Sequence, residues 1–216
     1  MNIIIDHTRK IFIVGAGGLG KEVFCCIKEQ WQWSETKGDI KFLEEDDYFK
    51  PRKVLGIDVL ALSATDKSGA FVVIAIRDSK ARKRISSLLP SHTAYATVIH
   101  PSVRLTPYTK INAGSIVLAH CFLSCDVDIG LHAVINPGTT ISHDCKIGDF
   151  FTCAPGVNIS GNCIIGDEVF LGTNACIKNA LSIADHVTVG IGAVVTKDLI
   201  SGDTYIGNPA RSIHQE

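Results

Sequence analysis

Ile129-Gly-Leu-His-Ala-Val-Ile135-Asn-Pro-Gly-Thr-Thr-Ile141-Ser-His-Asp-Cys-Lys-Ile147-Gly-Asp149 carries an aliphatic residue at every sixth position, and that spacing decides the fold. Extended in both directions, the series runs from Ile99 to Val195, and every member is Ile, Leu or Val except Cys153. Four residues after each member comes a second recurring site, small or β-branched (Val103, Ser115, Ala133, Thr139, Val157, Ala175), with Phe151, Leu181 and Leu199 as the bulky exceptions. A helix cannot use the pattern: six residues turn it by about 600°, so successive members point in directions roughly 120° apart. Long flat strands need a period of two. A three-sided solenoid uses it directly, one hexad per side and three hexads per coil, with each aliphatic residue pointing inward. The pairs Ile129-Gly130, Ile147-Gly148 and Ile165-Gly166 recur at the coil spacing. Residues from about 97 to 200 are therefore expected to form a parallel β-helix.

Residues before about 96 lack the period. Lys10-Ile-Phe-Ile-Val14 reads as a buried strand, followed at once by Gly15-Ala-Gly17-Gly-Leu-Gly20 and a helix from Lys21 to about Trp31. A G-x-G-x-x-G loop between strand and helix lets backbone N–H groups approach a phosphate at the positive helix end. Gly15, Gly17 and Gly18 are the phosphate candidates. Ile40 to Leu43 reads as a second strand, followed by the acidic run from Glu44 to Asp47. Ala70 to Ile76 reads as a third, and Asp78 to Leu89 as a helix. Glu44 and Glu45 are either solvated or turned to a ribose or base. Too few residues are present for both halves of a dinucleotide fold. The expectation is an α/β half-Rossmann domain, 1–96, binding a nucleotide diphosphate, followed by an all-β domain, 97–216.

Composition narrows the classes. With 21 basic and 22 acidic side chains among 216 residues, no basic face is advertised, which argues against nucleic acid. Met1 to Lys10 is too short and polar for a signal peptide, and no apolar run approaches a membrane span. The eight cysteines include no CxxC pair. Cys121, Cys145 and Cys163 fall on the small inward site, so thiol packing in a reducing, cytoplasmic setting is the reading. No metal is expected. Of the solenoid histidines only His132 and His186 share a column, three coils apart, or about 14 Å at a strand spacing of about 4.8 Å.

His143 is the reactive candidate. Asp144 lies beside it, and Gly161 one coil above leaves room over the imidazole. A neighbouring column runs Asn136, Ala154, Gly172, Gly190, Asn208. Its vanishing side chains suggest a groove for a long thin ligand such as a pantetheine arm.

Taken together, Gly15-Ala-Gly-Gly-Leu-Gly20, the stretch Asn136 through Asp144, Ile147-Gly-Asp149 and the ending Gly207-Asn-Pro-Ala-Arg211 resemble the hexapeptide-repeat acyltransferases. Closest in pattern are the bacterial sugar acetyltransferases with a nucleotide-binding N-terminal domain: N-acetyltransferases of nucleotide-linked 4-amino-4,6-dideoxy sugars and sialic acid O-acetyltransferases. The resemblance implies a left-handed coil and a homotrimer with active sites between subunits. It also implies acetyl-CoA as co-substrate, with transfer to the 4-amino group of a nucleotide-linked, UDP-preferred sugar for bacterial glycan synthesis. By the same resemblance His143 is the general base, Asp144 supports it and Asn136 shares the site. Pro209 and Arg211 lie by the coenzyme's adenine end. The column itself, rather than the resemblance, puts Gly172 and Gly190 along the coenzyme's arm, and a Gly161 backbone N–H is offered to the oxyanion. Thr152 stands where some members carry a second histidine, and its hydroxyl is expected to reach the thioester or coenzyme. Arg77, where many members have glycine, either meets the diphosphate or is a solvated surface residue. An O-acetyltransferase and a non-catalytic nucleotide-sugar-binding protein are the alternatives.

Overall fold

The computed structural model describes residues 9–33 and 39–214. Of the stretch Met1–Lys10 weighed as a signal peptide, all but Arg9 and Lys10 lies outside them.

The N-terminal half is built on β1 (Ile11–Val14), buried along its whole length. It pairs in parallel with β2 (Ile40–Glu44) on one side and β5 (Phe71–Ile74) on the other. A strand covered on both faces is apolar throughout rather than alternating. The hairpin of β3 (Lys53–Val54) and β4 (Ile57–Ala61) extends one edge and β6 (Ala94–Tyr95) the other, giving the order β3-β4-β2-β1-β5-β6. That hairpin has no counterpart among the sequence expectations. Its two-residue turn places both Leu55 (φ 50°) and Gly56 (φ 78°) in the left-handed region, and leucine is a poor signal for such a turn. Helix α1 (Gly18–Gln30) starts three residues before the expected Lys21. The loop's later glycines are already helical, and a Cβ on Gly20 would lie 1.9 Å from the Gly15 carbonyl oxygen. Helix α2 (Ser79–Leu88) is capped by Asp78, whose carboxylate accepts from the Ala81 N–H at 2.7 Å.

From Val98 onward the chain is a three-sided parallel β-solenoid. Short strands stack into sheets of five, five and eight. The register is one coil per step: Ile129 faces Ile147, Ile141 faces Ile159, and Cys153 faces Leu171. The step shortens only at the end, where Val189 faces Tyr205. Nearly every member of the six-residue series is buried in one continuous core, together with the small site four residues on. The Ile-Gly-Asp signature forms an internal ladder. Asp149, Asp167 and Asp185 each accept from the backbone N–H one coil below, at Leu131, Asp149 and Asp167, at 2.7, 2.7 and 2.8 Å. Glycine precedes each lower residue because a Cβ on Gly130, Gly148 or Gly166 would run into the carboxylate above.

A second six-residue series marks the corners. Every sixth residue from Gly114 to Gly192 has positive φ, whether the occupant is Gly, His, Asp, Phe, Asn, Glu or Ala. Asp144 (φ 58°) and His132 (φ 53°) belong to it. Asx residues and glycine tolerate this region best, so the aromatic and alanine corners are held there by the coil.

The two halves share a core. The outward-facing Val98, Ile116 and Val134 of the eight-stranded face are buried with Ile11, Ile13, Val23, Phe24 and Ile27. The glycine loop is thereby fixed beside one face of the solenoid.

Candidate functional site

A cavity of about 700 Å³ opens where the C-terminal ends of β1, β2 and β5 meet the solenoid, the usual ligand position in an open parallel sheet. It brings together Gly15, Gly17, Gly18, Glu44, Glu45 and Arg77 from the N-terminal half and Asn136 from the solenoid. The glycines divide the work. Gly15 has φ 107° and a Cβ there would lie 2.7 Å from the Ala75 carbonyl oxygen, so Gly15 and Gly20 serve the chain's own packing. A Cβ on Gly17 or Gly18 would meet nothing within 4 Å. These two leave open space before the first turn of α1, whose N–H groups have no intrahelical partners and whose positive end suits an anion.

The carboxylates are occupied. Glu44 pairs with both terminal nitrogens of Arg52, at 2.7 Å each. Glu45 pairs with Arg84 at 2.6 and 2.8 Å, and Arg84 also lines the cavity. Either acid is thus half of a two-pronged ion pair rather than a free ribose acceptor. Arg77 is exposed and its guanidinium has no side-chain partner among the described residues.

Asn136 is held on three sides. Its Nδ2 donates to the Cys153 carbonyl at 2.7 Å. Its own carbonyl accepts from the Thr139 hydroxyl at 2.8 Å and from the Cys121 thiol at 3.2 Å. The remaining Oδ1 is an acceptor at the cavity wall. The neighbouring thiols are inert: burial pushes Cys153 up to about 12 and Cys121 up to about 11, far from the thiolate a nucleophile needs.

His143 and Asp144 sit at another corner and do not line the cavity. The His143 Nδ1–H donates to Asp144 Oδ2 at 2.7 Å, which leaves Nε2 as the basic atom. The His143 carbonyl accepts from the Asn162 N–H above and the Asp144 N–H donates to the Cys125 carbonyl below, at 2.9 and 3.2 Å. Gly161 is not empty space over the ring but its seat: a Cβ there would lie 2.7 Å from Cε1 and 2.8 Å from Nε2. Both side chains are about half exposed.

Thr152, Gly172 and Gly190, expected along the coenzyme, each sit against the chain's own atoms. Thr152 is buried, and its hydroxyl accepts from Arg82 at 2.9 Å and donates to the Arg77 carbonyl at 3.2 Å. It lies under the N-terminal half. Gly172 is buried because the next coil crosses it: a Cβ would meet Gly190 and Ile191 backbone atoms at 2.7 Å. Gly190 is covered by Ile206, 2.8 Å from its Cβ position. Along the column above Asn136 the absent side chains thus let successive coils pack closely, while Ala154 and Gly190 stay half-buried and Asn208 exposed. Pro209 and Arg211 are exposed, the first following a cis peptide bond and the second in a short antiparallel strand against Thr204–Ile206.

Arg82 carries no sequence signal and proves central. It is fully buried. Nε donates to the His132 carbonyl at 2.8 Å and Nη1 to the Ile76 and Arg77 carbonyls at 2.6 and 3.0 Å. Nη2 donates to the Phe150 and Phe151 carbonyls at 2.7 and 3.1 Å and to the Thr152 hydroxyl. Burial lowers its pKa to about 10, which leaves it cationic at neutral pH. Beside it His132 is packed between Tyr95 and Phe150. Burial, then the Arg82 charge, pushes His132 down to about 4.

Among the described residues no helix is long and apolar enough to cross a membrane, and no cluster of His, Cys, Asp or Glu is gathered as a metal site.

Comparison with known proteins follows the same division of the chain. Residues 10–89 match the family described as the PglD N-terminal domain. Curated protein sequences yield no match. Among solved structures, WeeI from Acinetobacter baumannii is 32% identical with a TM-score of 0.87, covering 95% of this chain and 100% of its own. The acetyltransferase domain of PglB from Neisseria gonorrhoeae, in complex with acetyl coenzyme A, is 30% identical with a TM-score of 0.86, covering 95% and 99%. GDP-perosamine N-acetyltransferase from Caulobacter crescentus, a histidine-to-alanine mutant with CoA and GDP-perosamine, is 26% identical with a TM-score of 0.86, covering 95% and 97%. With such identity sustained over both the glycine-loop half and the solenoid, the chain belongs to the hexapeptide-repeat sugar N-acetyltransferases.

Proposed function

We propose that the protein transfers the acetyl group of acetyl-CoA to the 4-amino group of a nucleotide-linked 4-amino-4,6-dideoxy sugar. The observation that carries this is the single cavity shared by the open glycines Gly17 and Gly18, the unpaired Arg77 and the solenoid's Asn136. Backbone N–H groups at the α1 end and the Arg77 cation take the diphosphate, which aims the sugar at Asn136. The Asn136 Oδ1 accepts an amine N–H and orients the nitrogen. The amine attacks the thioester carbonyl, a C–N bond forms and the C–S bond breaks. His143 Nε2 takes the proton lost by nitrogen and returns it to the departing sulfur. Asp144 keeps the ring in the tautomer with Nε2 free. Bringing both substrates into one cleft supplies the entropic share of the rate. No acyl-enzyme is needed, in keeping with the inert thiols nearby.

His143 does not face the cavity of its own chain, so a complete site requires a second copy to bring the dyad to Asn136. We therefore include a homotrimer with each site between two protomers, acetyl-CoA lying along that seam with its adenine end by Pro209 and Arg211. A thiol-release assay with acetyl-CoA and UDP-, GDP- and dTDP-linked 4-amino sugars tests the proposal, with free sialic acid as the hydroxyl acceptor. Thiol release with a nucleotide amino sugar is expected. Release with sialic acid alone, or with no acceptor, sinks it.

A further inference from the structure

We propose that Arg82 is a positioning residue for acetyl transfer: it locks the sugar-nucleotide cavity onto the coil that presents Asn136. This rests on the function proposed above. Packing alone does not explain the residue. A buried guanidinium without a carboxylate partner is a poor way to fill space, and an apolar chain of similar volume is often as good or better. What the planar fork does that Leu or Met cannot is reach acceptors on separate segments at fixed angles.

Those segments are the two walls of the site. On one side Arg82 holds the carbonyls of Ile76 and Arg77, both of which line the cavity. On the other it holds the Phe150 and Phe151 carbonyls and the Thr152 hydroxyl. The next residue, Cys153, offers the carbonyl that fixes the Asn136 amide. The Nε bond to the His132 carbonyl adds the coil below. Thr152 closes the circuit by donating to the Arg77 carbonyl. On top of the shared apolar core, the spacing between the phosphate end of the cavity and Asn136 is thus tied polar group to polar group through Arg82 and Thr152. The dyad of His143 and Asp144 lies at a different corner and shares none of these bonds.

The test is steady-state kinetics on purified, folded Arg82→Lys and Thr152→Val, each compared with wild type for both substrates. Lysine keeps the charge but cannot span the two walls. Misplacement by about 1 Å costs on the order of a hundredfold, so Arg82→Lys should raise KM for the sugar nucleotide about 10–100-fold while KM for acetyl-CoA stays within about twofold. Thr152→Val keeps the volume and removes both the acceptor for Arg82 and the donor to the Arg77 carbonyl, and should shift the same constant by about 2–5-fold. If Arg82→Lys does not fold, the Thr152→Val shift decides. A sugar-nucleotide KM unchanged, or moved equally with that of acetyl-CoA, overturns the proposal while leaving the function intact. A wild type that acetylates no nucleotide amino sugar overturns both.

Discussion

Replacing Gly161 by alanine isolates the catalytic imidazole from everything else in the fold. The added Cβ would sit 2.7 Å from His143 Cε1 and 2.8 Å from Nε2, where ordinary contact begins at 3.4 Å. The ring must therefore retreat by about 0.7 Å, since packed atoms do not interpenetrate. Gly161 lies outside the positive-φ glycines, so alanine meets no backbone strain there. The obstacle is the tip of a half-exposed side chain, not main chain. The fold should hold, with stability changed by no more than about 1 kcal/mol. Turnover should not hold: displacing a general base by most of an ångström predicts a loss of roughly 30–100-fold in kcat, with little change in either KM. The control is a double-mutant cycle. His143→Ala should itself lose about 10²–10⁴-fold. In that background Gly161→Ala has no ring to displace and should be silent. Thiol-release kinetics read all four proteins. A Gly161→Ala enzyme within twofold of wild type would refute the assignment of His143 as the base seated on that glycine. So would equal penalties in both backgrounds.

The remaining predictions concern the N-terminal half and the join. His132 titrates near 6.5 when unfolded but is pushed down to about 4 in the fold. The folded state prefers it neutral, so its contribution is complete above about pH 6.5 and disappears as pH falls toward 4, by at most about 3 kcal/mol. Melting temperature followed from pH 7.5 to 4 should fall in that window, less so for His132→Phe, since Phe150 shows that the same corner accepts an aromatic ring. Parallel curves for the two proteins would be evidence against this role. Gly17→Ala should fold normally yet weaken calorimetric binding of UDP or GDP about tenfold or more, whereas Gly20→Ala, with its Cβ 1.9 Å from a carbonyl oxygen, should lower the melting temperature. The reverse ranking would show the loop misassigned. Arg77→Met should cost about 1.5–3 kcal/mol of nucleotide diphosphate affinity if the guanidinium meets phosphate, and unchanged affinity for UDP would remove it from the site.

How much of this could be read from the chain depends on whether the determining contact is periodic. The solenoid core repeats every six residues, so Ile129, Ile135 and Ile141 announce it. The corner series repeats as faithfully, yet it passes unread because the occupants, from Gly138 to Phe150 to Ala180, share a backbone angle and no chemistry. The glycine loop was legible because strand, loop and helix are contiguous. Arg82 was not: all but one of its acceptors are backbone carbonyls, spread from residue 76 to 151, and a carbonyl has no side-chain signature. Gly172 and Gly190 are ambiguous in sequence for a related reason. A column of small residues looks the same whether a ligand or the next turn of backbone occupies the space, and here Ile206 and the following coil occupy it. Thr152 was placed by its match to a second histidine in some relatives, and that match does not say that the N-terminal half covers it.

The corner series has an evolutionary implication. Because the coil dictates φ at every sixth residue whatever the side chain, exchanging one outward group for another at a corner leaves the scaffold's geometry intact. Imidazole, carboxylate, amide and phenyl groups already stand at equivalent points along the shaft. New acceptors or donors can then be sampled one vertex at a time, without disturbing the prism that holds the others in place.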